Sequence, residues 1–439
     1  MAPLSKLATN RIDDLSRRWT AFPNLETVGY YEYFSQSIHT PSIEQKHVDQ
    51  SKTLQDFTLK RRTLGVFTHE LTHWLDHTST LWGHGNLIRL YEAIDARKHG
   101  REVDLWRIPL ALADNKRTHF NEYYTEYGPA ADSGRPWVAT YTCGREYGLD
   151  GRIRNDRPVM FVRFSTPSNR LIVRAPLSVA ALLETRAVYA ELRADLHFIS
   201  NLSEDDRIIT TKLWQTEFMD RLYMARYAAY TVAAHFVANK AKMTNALEAF
   251  RYSSLLAGLA LNLPPTLFTA LRQPDGLEPW QELIPYLIAS QNRGYAFLVL
   301  ASSLPQEELP VEERIGLMLE NAGLPTAPEI YTQTLTEMQA LGGGVHLRNT
   351  GREQRLNGLL SVGFAYQKSF GPASAPYLAN DAVLKADMRA VLPPVILGDG
   401  QLLQYGTPLP KQCEITEDWV TQSWDEEKQL QEFFGACLP

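Results

Sequence analysis

Residues 68–77 read THELTHWLDH. Three of the chain's 11 histidines and two acids, Glu70 and Asp76, fall inside this one stretch. A helix turns roughly 100° per residue. On that wheel Leu64, Phe67, Leu71, Trp74 and Leu75 gather on one side, and His69, Glu70, His73 and His77 on the other. The segment therefore reads as an amphipathic helix with an apolar stripe for a core and the whole polar constellation on one face. The pattern predicts a long helix from about Thr53 through His77.

Within it, His69, Glu70 and His73 spell H-E-x-x-H. Residues i and i+4 stand one turn apart on the same helix face, so two imidazoles in this spacing can share one Zn²⁺ at ~2.0–2.1 Å each. Glu70 lies beside them, placed to take a proton from water at the metal. Zinc lowers the pKa of such water to ~7 and polarises a carbonyl, which suits attack on an amide. The competing reading is a surface helix whose histidines coincide by chance.

Catalytic zinc normally keeps three protein ligands and one open position. His77 continues the i+4 series. It stands eight residues from His69, however, or ~12 Å along a straight helix, and the run lacks the glycine that turns the chain in HExxHxxGxxH sites. A substrate-side or supporting role suits His77 better, and Asp76 reads as support for a neighbouring polar group or as a cap of the helix end. The second candidate is Glu184, in LLETRAVYAEL. On that helix Glu184, Val188, Glu191 and Asp195 form one stripe flanked by Ala180, Ala181 and Ala187, while Arg186, Arg193 and His197 lie opposite. Acids beside small apolar residues need a cation or donors once buried. A metal supplies that partner for Glu184, and Glu191 is placed to accept an N–H from a ligating imidazole and fix its tautomer. The alternative is that these acids pair with arginines in a helical bundle.

HELTH followed downstream by a helical L-x-E-x-x-A resembles the gluzincin branch of zinc metallopeptidases. The resemblance spans two helices, residues 60–80 and 178–198. It implies zinc ligands His69, His73 and Glu184, with Glu70 as general base. It departs from the family in the long segment between motif and third ligand, and in having Leu183-Glu184-Thr185 where an Asn-Glu or Glu-Gly pair is usual. Sites of this kind stabilise the oxyanion with a Tyr or His, and Tyr189, Tyr123, Tyr124, His119 and His197 are eligible.

The rest of the chain sets the frame. At 439 residues, 44% apolar and 21% charged, it matches a soluble globular protein with a sizeable core. A net charge of -6 carries no basic footprint for nucleic acid and no polybasic membrane signal. No run approaches the ~18 apolar residues of a membrane span, and the N-terminus has no apolar signal region, so a cytoplasmic location is expected. Cys143, Cys413 and Cys437 are too few and too far apart for a disulfide framework or a cysteine zinc site.

The expected fold is α+β, predominantly α-helical, with a zincin-like pair of active-site helices. Residues 1–55 form an N-terminal segment in which TVGYYEYFSQSI reads as one or two strands. Residues 56–324 form the helical catalytic domain. It includes a helix over Asn86 to Lys98 and a Tyr/Gly-rich insertion at about 104–174, with strands at PVMFVRF and RLIVRA, that must loop out between the two metal helices. Ser178 caps the next helix, helices run from Asp205 to about Leu261 until Pro264-Pro265 interrupts them, and more follow to about Asn321. Residues 325–439 read as a loosely attached C-terminal subdomain of helices and loops. TSTLWGHGN, with Gly83 and Gly85, is expected to turn the chain beside the cleft. Gly342–Gly344 read as a connector, and His235 as a core histidine. The leading function is a zinc endopeptidase acting on a peptide or protein. The alternatives are a zinc hydrolase of a small amide and a non-catalytic metal-binding protein, and an intact Glu70 argues against the last.

Overall fold

The aromatic, β-branched stretch after Gly29 forms a hairpin in the computed structural model, which describes residues 29–54, 56–100, 102–127, 135–148, 152–369, 393–403 and 416–436. Strands β1 (Tyr30–Glu32) and β2 (Ser37–Thr40) pair antiparallel, Tyr31 opposite Ile38, around a turn with Gln36 at φ 59. Helix α1 (Gln45–Thr53) then ends with Leu54 extended, and α2 (Phe57–Lys60) starts from a new cap at Asp56, whose carboxylate accepts the Leu59 N–H. One wide turn, Arg61–Gly65, joins α2 to α3 (Val66–Ser79). The helix carrying the motif thus starts at Phe57 rather than Thr53, because Asp56 satisfies its free N–H groups. Wide turns like Arg61–Gly65 sit frequently at functional sites.

Thr80 breaks the helix, and its hydroxyl accepts the Gly83 N–H to start α4 (Leu81–His99). Gly83 and Gly85 therefore lie inside α4 and away from the cavity described below, not in a turn bordering it. A Cβ at Gly83 would stand 2.3 Å from the His77 carbonyl oxygen, so the position is closed to larger residues.

The insertion opens with an unexpected helix, α5 (Arg107–His119). It continues as an antiparallel sheet of β3 (Thr125–Glu126), β4 (Val138–Tyr147), β5 (Ile153–Ser165) and β6 (Leu171–Pro176), in the order β3-β6-β5-β4. It does not loop out. Met160, Val162 and Phe164 enter the main apolar cluster of the molecule, while Val159 and Phe161 pack on Phe120. With both faces of β5 covered from Pro158 to Val162, this part of the sheet belongs to the core.

Helix α6 (Val179–Ser200) is capped by Ser178, whose hydroxyl accepts the Ala181 N–H at 3.2 Å. It is buried on all sides from Ala180 through Ala187. Around it stand α7 (Glu204–Leu222), α8 (Ala228–Ala241) and α9 (Ala246–Asn262), followed past the two prolines by α10 (Ile284–Ala289), α11 (Arg293–Ser303) and α12 (Val311–Asn321).

The segment from Pro325 is woven into the rest rather than loosely attached. The glycines at 342 and 343 close α13 (Ala327–Gly343). On α14 (Thr350–Ser369), Gly363 crosses the end of α3 so closely that a Cβ would lie 1.6 Å from the Thr78 carbonyl oxygen. Strand β7 (Val395–Leu397) adds parallel to β2, and β8 (Leu402–Leu403) pairs with β7. The second sheet is thus β1-β2-β7-β8, and α15 (Glu417–Ala436) follows. Phe67, Leu71, Trp74 and Leu75 of α3 pack against Ile38, Val395 and Leu397 of this sheet. The apolar stripe of the motif helix faces the sheet, which leaves its histidine face to α6. The fold is α+β and predominantly helical. Among the described residues, no helix is long and apolar enough to cross a membrane.

Two histidines remote from the motif make the fold acid-sensitive. His39 stacks on Tyr30 with ring centroids 4.8 Å apart, and burial pushes its pKa down to about 3. His235 is boxed by Trp137, Phe164 and Tyr223 and donates to the Leu222 carbonyl at 2.9 Å, the core role expected of it. Burial pushes it to about 4. The unfolded chain protonates both near 6.5 while the folded chain does not, so the stability they permit is whole above about 6.5 and is lost as pH falls toward the folded values. Each contributes about 1.4 kcal/mol per pH unit in that window. Asp195 and His69, whose pKa values the fold raises, act in the opposite sense, so the expected result is a difference: His235→Gln makes the melting temperature less acid-sensitive than wild type between about pH 7 and about pH 5, by about one proton. An unchanged pH slope in a folded His235→Gln variant contradicts this account.

Candidate metal centre

Helix α3 presents His69 and His73 one turn apart, and α6 lies across them with Glu184. His69 Nε2 is 3.2 Å from Glu184 Oε2, and His73 Nε2 is 3.6 Å from Glu184 Oε1. One donor atom from each of the three residues lies within 4.8 Å of the others. Ligands at ~2.0–2.1 Å on a tetrahedron stand roughly 3.3–3.4 Å apart. The two histidine–carboxylate separations, 3.2 and 3.6 Å to the two oxygens of Glu184, bracket that span. The donor set of two imidazoles and one carboxylate also suits zinc. The residues present therefore fit the ion.

The electrostatics call for positive charge at this point. Burial alone lowers the pKa of His69, but hydrogen bonds to Glu184 and Glu191 and the charge of Glu70 hold it well above the usual histidine value. Burial alone raises that of Glu184, but His73 and His69 bring it down to about 2. Glu191 Oε2 lies 3.4 Å from His69 Nδ1, placed to accept that N–H and orient the ring. The acidic stripe of α6 thus divides. Glu184 and Glu191 meet His69, whereas Asp195 accepts from Trp214 at 2.8 Å and pairs with Arg61 of the wide turn at 3.1 Å. Burial and the nearby Glu191 raise Asp195 to about 7 against the pull of Arg61 and Trp214.

Glu70 is 6% exposed, and burial raises its pKa while His69 and His73 oppose the shift. Its carboxylate also takes a backbone hydrogen bond from Tyr31 of β1. Gly29 is pressed against it, since a Cβ there would stand 3.3 Å from Glu70 Cγ and 2.7 Å from Val66 Cγ1. A cavity of about 480 Å³ opens beside these groups, mostly apolar and lined on one side by Gly29–Tyr33 of the hairpin.

The other candidates separate by position. His77 lines the cavity but is outside the ligand set, and its ring packs 5.0 Å from those of both Tyr31 and Trp82. Burial lowers its pKa to about 3, and its Nδ1 has no hydrogen-bond partner among the described residues. Of the two roles expected of Asp76, it takes the first: fully buried, it holds the Arg186 guanidinium rather than capping the helix. Tyr189 belongs to an apolar cluster with Trp214 and Phe218, a correction to its expected place at the site, because five residues on from Glu184 it points roughly 140° away around the helix. Tyr123 accepts the Tyr147 N–H, Tyr124 donates to the Ala225 carbonyl, and His197 is exposed. His119 does line the cavity. Its Nδ1 lies 3.3 Å from the Asn115 carbonyl, which keeps the hydrogen there and leaves Nε2 an acceptor.

The residue missed from sequence is Tyr230. It lines the cavity with its ring 6.3 Å from that of His69. Burial first, then the charges of Glu184, Glu70 and Glu191, raise its pKa well above the ordinary value, so it stays a hydroxyl donor. It sits in a run that reads as a core helix, YAAYTVAAHFVA, where tyrosines three apart among alanines were the available signal.

Compared with known protein families, curated proteins and solved structures, the chain matches none.

Proposed function

We propose that the protein is a zinc-dependent metallopeptidase that hydrolyses peptide bonds, with His69, His73 and Glu184 as ligands and Glu70 as general base. The observation that carries this reading is the convergence of those three donor groups, from two helices, beside a buried carboxylate and a cavity. Zinc held there supplies a Lewis acid for the scissile carbonyl and brings the attacking water into its reactive range at neutral pH. Glu70 takes the proton of that water on its carboxylate and passes it to the leaving amine. Tyr230 donates its hydroxyl hydrogen to the developing oxyanion. Glu191 holds His69 by its Nδ1–H. Strand β1, at the edge of its sheet, walls the cavity beside Glu70, which supports an extended peptide as occupant.

The cavity volume also falls within the ~300–1,000 Å³ of small-molecule sites, which favours a small amide as the second reading. Both are tested together. Metal analysis of the purified protein should find one zinc per chain. Digestion of a peptide library should yield cleavage that a chelator abolishes and added zinc restores. Turnover of small amides alone selects the second reading, and absence of any stoichiometric transition metal after zinc is supplied overturns both.

A further inference from the structure

One polar contact between the two metal helices lies outside the ligand set. Asp76, three residues beyond His73, is 0% exposed, and Arg186, two residues beyond Glu184, is 3% exposed. Arg186 Nε donates to both Asp76 oxygens, at 2.8 and 3.0 Å, and its Nη1 donates to the Ser254 carbonyl of α9 at 3.3 Å. Beside it the Thr185 and Ser253 hydroxyls meet at 2.7 Å. Helices α3, α6 and α9 are thus joined by directed polar contacts within one turn of the ligands. The end of α3 is also fixed by Gly83 against the Asp76 and His77 carbonyls and by Gly363 against that of Thr78.

Stability alone does not account for such a pair. A buried ion pair is often no more stabilising than apolar side chains of similar volume. What it adds is direction. The α6 stripe around Glu184 is built of Ala180, Ala181 and Ala187, a smooth surface over which a neighbouring helix can slide or roll with little change in apolar burial. Ligands of a metal must be held to about 0.5 Å, and apolar contact with alanine does not impose that limit. A guanidinium hydrogen-bonded to a carboxylate on one helix and a carbonyl on another does.

We propose that the Asp76–Arg186 pair is a register lock that holds His69, His73 and Glu184 in binding geometry, so that metal affinity depends on two residues that do not ligate. The proposal rests on the metal-centre reading above. The test uses the full chain and Co²⁺ as probe, with affinity measured by chelator competition and geometry by visible absorption. The double variant Asp76→Leu/Arg186→Met replaces the pair by apolar groups. Its metal-free form should melt at or above the wild-type temperature, while Co²⁺ affinity falls at least ~10-fold, the scale of losing an outer partner of a metal ligand, and the absorption bands shift. A folded double variant with wild-type affinity and spectrum overturns the lock. If circular dichroism shows the double variant unfolded, Asp76→Asn decides by the same readouts: weakened Co²⁺ binding supports the lock, and unchanged binding overturns it. A wild-type chain that takes up no Co²⁺ overturns the metal centre itself, a failure seen before any variant is made.

Discussion

Glu184→Ala is expected to strip the metal and abolish hydrolysis together, while His77→Ala keeps stoichiometric metal. Without Glu184 the centre has two imidazoles and water, and catalytic zinc requires three protein ligands. Both His69 and His73 also lose the carboxylate that faces them at 3.2 and 3.6 Å. The loss of affinity should exceed the ~10–100-fold typical of an outer partner, and Glu191→Gln should fall within that smaller range. His77 packs among Tyr31, Tyr33 and Trp82, so its removal should alter turnover or preference without releasing the ion. Chelator competition on each variant, with circular dichroism as fold control, measures the pattern. Loss of metal from His77→Ala and its retention in Glu184→Ala would rule out the proposed ligand set.

Glu70→Gln is expected to keep the metal and lower turnover at least ~10²-fold, the scale of removing a general base. The amide has nearly the shape of the carboxylate, and its oxygen can still accept the backbone hydrogen bond from Tyr31. It cannot take a proton. Burial disfavours the Glu70 charge more than His69 and His73 favour it, so a neutral amide there should leave the melting temperature of the metal-free chain unchanged or raise it. Full zinc content with unchanged turnover on a verified substrate would remove Glu70 from the mechanism, whereas lost zinc would show instead that it shapes the centre.

Much of this was legible because it is local. The i, i+4 spacing of His69 and His73, the apolar stripe from Leu64 to Leu75 and the Ser178 cap are properties of a few consecutive residues, and helix geometry alone turns them into faces. The same geometry separates His77 from His69 by a rise too long for one ion. The acids of α6 were visible as a stripe too, but their partners were not. Asp195 lies on the same stripe as Glu184 and differs in meeting Arg61 and Trp214 instead of a histidine. Tyr230 was hidden for the same reason: what marks it is three carboxylates brought to it from α3 and α6.

Local pattern is enough to fix the helical character of the chain, the face of α3 that carries the histidines and the acids available to meet it. Each of these follows from periodicity and capping over short spans. Long-range packing settles that the sheet of the insertion belongs to the core, that β7 joins β2 from a distant part of the chain, that Gly29 and Tyr31 close on Glu70, and that Asp76 pairs with Arg186. These are choices among many partners of similar polarity and shape. They are settled by which surfaces can all be covered at once, and no local pattern encodes that.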